Sequence, residues 1–259
     1  MIEVRVRSND RVAKDWHLLQ LEGAVLEIPV PGQFVHLRVS STTDPLLRRP
    51  FSVHFYRPEQ GVLSLLLQVK GKGTRMLKKL KTADTVNILG PLGTGFTPAS
   101  RGKVLLLGGG IGVAPLYYLG CQIVSLGGEP ELVVGGASSE YLPGEEFFHS
   151  TVMKLAWVTE DGSRGYHGTV VDYLKSYPGA GHGIEMIYAC GPPAMLERVV
   201  EEASLRGIPV QVSLEATFAC GIGACLGCVH PVKTPEGVSY LRVCKEGPVF
   251  NGEDVVFNV

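Results

Sequence analysis

The chain has 259 residues, 45% of them hydrophobic and 19% charged, with a formal net charge of −1. That is the composition of an ordinary folded protein of one large domain or two to three small ones, and it gives no electrostatic case for nucleic acid or an anionic membrane as a partner. The first ten residues, MIEVRVRSND, are charged and alternating, without the apolar core of a secretory signal; a reducing cytoplasm is the expected compartment, and cysteines there serve as metal ligands or buried thiols more often than as disulfides.

Residues 1–99 read as a β-domain. Short alternating or apolar runs recur (IEVRVR, WHLLQLE, QFVHLRV, FSVHFY, VLSLLLQV, TVNIL), punctuated by Gly, Pro and Asp, and this spacing suggests an antiparallel barrel. One short helix is expected at Thr74–Leu80 with Thr74 as N-cap. Arg48 and Arg49, just before Pro50, Phe51 and Ser52, form either an arginine fork suited to a pyrophosphate or a solvated surface pair. The Ser52 hydroxyl beside them can hydrogen-bond a flavin ring. Lys70-Gly71-Lys72-Gly73-Thr74 offers a second anion-binding turn, and two anion sites in one barrel point to a flavin dinucleotide. We place Gln68 and Val69, which lead into this turn, in the same site. His54 and His167 read as core or surface residues.

Residues 100–213 change to strand–helix alternation. Strands are expected at KVLLLG, ELVVGG, KLAWVT, EMIYAC and VQVSL, and helices near 113–126, 167–176 and 193–206, the rhythm of a parallel α/β sheet. Residues 104–128 carry no charge and are long enough to cross a bilayer, but GGGIG and Pro115 interrupt them, so a buried strand, a glycine turn and a helix are expected instead. In that turn Gly109, Gly110 and Gly112 follow a strand and open a helix, a setting that suits a dinucleotide pyrophosphate. Between Lys103 and Lys154 there is no Lys or Arg to meet a 2′-phosphate, which favours NAD over NADP; Arg164 is the cation that could still reach in. Cys190, Gly191 and Pro192 end a later strand on the ligand side of the sheet, where Cys190 either lines a nicotinamide pocket or is a buried strand-end residue. Cys121 lies in an apolar helix and reads as core.

Residues 214–259 are Gly- and Cys-rich with little periodicity, too short to build a core without help from a metal centre. Cys220, Cys225, Cys228 and Cys244 stand in the order C-x4-C-x2-C…C. That is the spacing of plant-type [2Fe–2S] centres. Zinc, which more often takes paired C-x2-C knuckles, and free thiols are the alternatives. Gly221, Gly223 and Gly227 let the loop adopt positive φ and expose amides to cluster sulfurs.

RPFS, GKGT, GGGIGVAPL and CGPPAML together resemble the ferredoxin reductase-like flavoproteins. The resemblance implies an FAD-binding β-barrel, then a parallel-sheet NAD-binding domain, then a small [2Fe–2S] domain. It also implies that Arg49 and Ser52 bind FAD, that the glycine turn binds NAD(P), and that Cys190-Gly191-Pro192 sits by the nicotinamide. SLEATFACGIGACLGC…RVCKEGPVF, DPLLRRPFSV and TEDGSRGYHG are further similar to the electron-transfer subunits of NAD-linked, type B dihydroorotate dehydrogenases. That implies a soluble heterotetramer with an FMN-containing catalytic subunit, two of each, in which electrons pass from FMN through the cluster and FAD to NAD+ during pyrimidine biosynthesis. No acid–base constellation for oxidising dihydroorotate is visible in this chain. Ferredoxin–NADP transhydrogenase and sulfide dehydrogenase subunits share the layout, and a zinc-stapled nucleotide-binding module is the non-enzymatic rival.

Overall fold

The structure is a computed structural model that describes residues 1–23, 27–148, 153–177 and 183–257. Strands β1 (Ile2–Ala13), β2 (Trp16–Glu22), β3 (Phe34–Leu37), β4 (Arg49–Arg57), β5 (Val62–Gln68) and β6 (Thr85–Leu92) close into an antiparallel barrel in the order β1-β2-β5-β4-β3-β6. Alternation drives the closure. In β1, Val4 and Val6 are buried while Glu3, Arg5 and Arg7 face solvent, and the inward set meets Leu19, Leu21, Leu65, Leu67 and Ile88 in one apolar interior. Within the barrel β3 pairs with β4 so that Phe34 opposes Ser52, Val35 opposes Phe51, His36 opposes Pro50 and Leu37 opposes Arg49.

Helix α1 (Lys72–Leu77) corrects the expectation of a helix at Thr74–Leu80: Gly71, not Thr74, is its N-cap. Thr74 sits inside the first turn, where its hydroxyl accepts from the amides of Lys70 at 3.0 Å and Gly71 at 3.1 Å. A threonine in a first turn can bond back to the amides before it as well as cap those ahead, and the sequence does not distinguish the two.

The second layer is a seven-stranded sheet of order β10-β9-β8-β7-β11-β12-β15. Strands β7 (Lys103–Gly109), β8 (Glu129–Gly136), β9 (Lys154–Thr159), β10 (Tyr166–His167), β11 (Ile184–Cys190) and β12 (Val210–Ser213) are parallel. Helix α2 (Val113–Ser125) packs on one face; α3 (Val170–Ser176) and α4 (Pro193–Leu205) pack on the other. The chain winds outward from β7 to β10, then returns to place β11 on the opposite side of β7. Strand order therefore reverses between β7 and β11, and ligands of such sheets bind outside the carboxyl ends at that reversal. The uncharged run 104–128 is β7, a short turn at Gly110–Gly112 and α2; no described helix is long and apolar enough to cross a membrane. Helix α3 starts later than the expected residue 167, because Tyr166 and His167 pair with β9 and Thr169 caps the helix by accepting from the Asp172 amide at 3.1 Å.

The tail is more ordered than its sequence suggests. Strands β13 (Val229–Thr234) and β14 (Gly237–Arg242) form a hairpin, and β15 (Val249–Asn251) runs antiparallel to β12 at the sheet edge. A three-residue strand has no readable period, and its partner lies far away in sequence.

Candidate functional site

A cavity of about 360 Å³ lies where barrel, sheet and tail meet. The barrel contributes Arg49, Pro50, Phe51 and Ser52 from β4, Gln68 from the end of β5, and Lys70, Gly73 and Thr74 from the α1 turn. Gly112, Ala114 and Pro115 at the start of α2 and Cys190 at the end of β11 come from the sheet; Glu215, Ala216 and Phe218 come from the tail. Val69 does not reach the cavity. Its amide donates to the Asp15 carbonyl at 2.7 Å and continues the strand pairing. Gly109, Gly110, Gly191 and Pro192 lie beside the cavity rather than on its wall, at the carboxyl ends of β7 and β11; a Cβ on Gly191 would stand 3.1 Å from the Gly109 Cα.

The expected arginine fork reduces to one arginine. Arg49 lines the cavity. Arg48 turns away and donates through Nη1 to the main-chain carbonyls of His36 at 3.2 Å and Asn87 at 3.0 Å, where burial lowers its pKa. Neighbours in an extended chain face opposite sides, so only one of the pair can reach a common ligand. With Arg49, Lys70 and Lys72 as cations and Phe34, Phe51 and Phe218 as aromatic walls, the lining fits a ligand with an anionic linker and a flat ring. A Cβ on Gly112 would run into the Cys190 carbonyl, so glycine is what lets the start of α2 seat against β11. Cys190 is fully enclosed, and burial pushes its thiol up to about 12. It is a neutral wall, not a nucleophile.

The four tail cysteines stand as two pairs. The Cys220 thiol neighbours that of Cys225, and the Cys228 Sγ accepts from the Cys244 amide at 3.4 Å. Main-chain amides turn toward the sulfurs: Ile222 N–H toward Cys220 Sγ at 3.5 Å, and Gly223 N–H toward Cys244 Sγ at 3.1 Å. The Ile222 and Cys225 amides pull the Cys220 thiol down to about 6, whereas burial pushes Cys244 up to about 12. Among the described residues no three His, Cys, Asp or Glu side chains converge on a single ion. Two thiol pairs, each near the other and supplied with amide donors, fit a binuclear cluster that takes two thiolates per iron better than one tetrahedral ion.

Other expectations resolve simply. His54 is core, stacked 5.0 Å from both Tyr117 and Phe147, and His167 is exposed. Cys121 is half-buried in α2 against the core. Arg164 lies 3.4 Å over the Trp157 ring and donates to the Pro143 carbonyl at 3.2 Å. Glu215, Ala216, Phe218 and His36 belong to none of the sequence motifs that mark the cavity. The first three join β12 to the first cysteine and so cross the cavity mouth. A histidine inside the apolar run QFVHLRV was the available signal for the fourth.

Residues 3–96 match the family of oxidoreductase FAD-binding domains, and residues 215–256 match the iron–sulfur cluster binding domain of dihydroorotate dehydrogenase B. The chain thus carries an FAD-binding and an iron–sulfur-binding unit. It is 36% identical over 259 residues to a dihydroorotate dehydrogenase B (NAD(+)) electron transfer subunit of Desulforamulus reducens, covering 99% of this chain and 98% of that protein. To the subunit of the same name from Geobacillus thermodenitrificans it is 40% identical over 256 residues, 97% of this chain and 96% of the relative. Among solved structures, one from work on flavin-based electron bifurcation by an NADH-dependent reduced ferredoxin–NADP oxidoreductase superposes with a TM-score of 0.88 at 28% identity, covering 100% of this chain and 91% of that one. A ferredoxin reductase of carbazole 1,9a-dioxygenase shares the fold, with a TM-score of 0.72 at 18% identity over 82% of this chain and 68% of its own. On relatedness that runs nearly end to end, the chain belongs to the family of dihydroorotate dehydrogenase B (NAD(+)) electron transfer subunits.

Proposed function

We propose that this chain takes electrons from an FMN-containing dihydroorotate dehydrogenase subunit at its thiol cluster and delivers them to NAD+ in pyrimidine biosynthesis. The observation that carries the reading is the single cavity in which β4, the α1 turn, the start of α2, the end of β11 and the tail leading to Cys220 meet. Bound FAD would supply the exchange between one-electron steps at a [2Fe–2S] centre and two-electron hydride exchange with NAD. The protein's own part is binding and orientation. Arg49 would pair with the flavin pyrophosphate; Gly73 leaves room for the Arg49 side chain, and Thr74 beside it would line the same anion site. Pro50, Phe51, Ser52 and Gln68 would hold the ring, with the Ser52 hydroxyl as a hydrogen-bonding group; Val69 and Lys70 would carry the chain past it. The Gly109–Gly112 turn and the start of α2 take the NAD pyrophosphate, and Cys190, Gly191 and Pro192 border the nicotinamide. Cys220 and Cys225 would hold one iron, Cys228 and Cys244 the other. Arg164, committed to Trp157 and Pro143, supports NAD over NADP. The partner reading is a cytoplasmic heterotetramer, two of each subunit, with the exposed Cys225 on the side turned to the catalytic subunit.

The test is dihydroorotate-dependent NAD+ reduction by this chain co-expressed with the FMN subunit from the same genome, each chain alone serving as control. Activity confined to the pair is the expected result. A yellow-brown, iron-loaded pair without that activity would move the assignment to a ferredoxin-linked reductase, the second reading that the 0.88 superposition favours.

A further inference from the structure

His36 is 0% exposed, and neither ring nitrogen has a hydrogen-bond partner among the described residues. A buried imidazole left that way is costly, so its surroundings need an explanation. His36 stands on β3 directly opposite Pro50 of the cavity wall. On its other side is the cysteine loop: a Cβ added to Gly221 would lie 2.5 Å from His36 Nδ1, and Gly221 holds φ at +73°. The aromatic rings of Phe34 and Phe218, both on the cavity wall, flank it at 6.5 Å and 6.4 Å. The main chains of Cys220 and Arg48 lie beside the ring. An imidazole has at least one N–H to give, and this ring faces the loop at the point where glycine has cleared the space.

We propose that His36 is a positioning residue for electron transfer: its ring N–H holds the main-chain carbonyl of Cys220 when the loop closes on its cluster. The peptides that follow are those whose Ile222 and Gly223 amides face the Cys220 and Cys244 sulfurs. Amide hydrogen bonds to cluster sulfur stabilise the reduced, more negative centre and raise its potential. His36 therefore ties the loop's amide geometry to the strand that lines the flavin cavity. This rests on the reading of the four thiols as a [2Fe–2S] site.

The experiment is an EPR-monitored redox titration of the purified holoprotein beside its His36→Phe, His36→Asn and His36→Gln variants, with iron and FAD counted per chain. His36→Phe keeps ring volume and loses the N–H. The expected result is full iron and FAD content, a more negative cluster potential and an altered EPR signal, with cluster-dependent electron transfer falling about tenfold. At least one amide variant, which retains an N–H, is expected to recover part of the shift. An unchanged potential and spectrum in His36→Phe would overturn the proposal, since packing alone would then explain the residue. If His36→Phe loses its iron, the amide variants decide: parent-like potential in either supports the N–H role, and loss of iron or an unrecovered potential in both overturns it. A parent protein without iron would fail the cluster reading, which the iron count reports separately.

Discussion

Arg48 and Arg49 are neighbours of one type with different tasks. Arg48 is used up by the barrel, bonding the His36 and Asn87 carbonyls. Among the described residues the guanidinium of Arg49 donates only to main-chain carbonyls of its own loop, Leu47 and Arg48, and so stays at the cavity. A hydrogen bond to a charged group contributes about 1.5–3 kcal/mol, so Arg49→Ala is expected to weaken FAD binding by about tenfold or more. Arg48→Ala is expected to lower the unfolding midpoint and leave flavin affinity near the parent value. Flavin absorbance per chain after desalting, with fluorescence titration of the stripped protein, separates the two. Equal FAD affinity in Arg49→Ala and parent would take Arg49 out of the site. The cysteines repeat the lesson: Cys190 and Cys220 share a side chain, but enclosure raises one thiol and main-chain amides lower the other.

At the scale of elements, the glycine turn matters for what it lets approach. Gly112 brings the start of α2 against the end of β11, so that Gly112 and Cys190 line the same cavity. Gly112→Ala must push the new methyl into the Cys190 carbonyl. Overpacking of this kind costs about 1–3 kcal/mol, and the relief available is to lift α2 from β11. The variant is expected to lose stability by that amount and to raise the KM for NADH more than it lowers kcat, measured with a dye acceptor; a KM at the parent value would show that the nucleotide does not use this turn. Elements of this sort were legible in the sequence because their determinants are local. The barrel strands announce themselves by alternation, as Val4 and Val6 do between Glu3, Arg5 and Arg7, and β7 and α2 by an apolar run broken at GGGIG. What was not legible depends on distant partners. Val249–Asn251 becomes a strand only because β12 offers it an edge. Glu215 and Phe218 reach the cavity only because β12 ends beside it. His36 looks like any strand residue until the cysteine loop is folded over it.

Across the whole molecule, the barrel and the sheet meet through His54. It stands on β4, two residues beyond Ser52 along the same strand, and its Nδ1–H donates to the Ala114 carbonyl of α2 at 2.9 Å. Its ring stacks with Tyr117 of α2 and with Phe147. One side chain thus joins the strand that lines the flavin cavity to the helix that opens at the nucleotide turn. Complete burial pushes its pKa down from 6.5 to about 4, so the folded protein holds this ring neutral through a pH range in which the unfolded chain protonates it. The unfolded state then binds more protons, and stability falls as pH drops from the unfolded pKa near 6.5 toward the folded one near 4, with no loss above 6.5 and no further loss below 4. The span corresponds to about 3 kcal/mol, an order-of-magnitude figure. His17 and His230, also lowered by burial, add to the slope in the same direction, so the His54 share must come from a difference. Denaturant unfolding of the parent and of His54→Phe between pH 7.5 and pH 4.5 isolates it. The phenylalanine keeps the stack and gives up the hydrogen bond, so it is expected to be less stable at pH 7.5, and the gap is expected to close or reverse toward pH 4.5. Parallel pH curves for the two proteins would mean that His54 is charged in the folded state or titrates alike in both states, and that the barrel–sheet joint is insensitive to acid at this position.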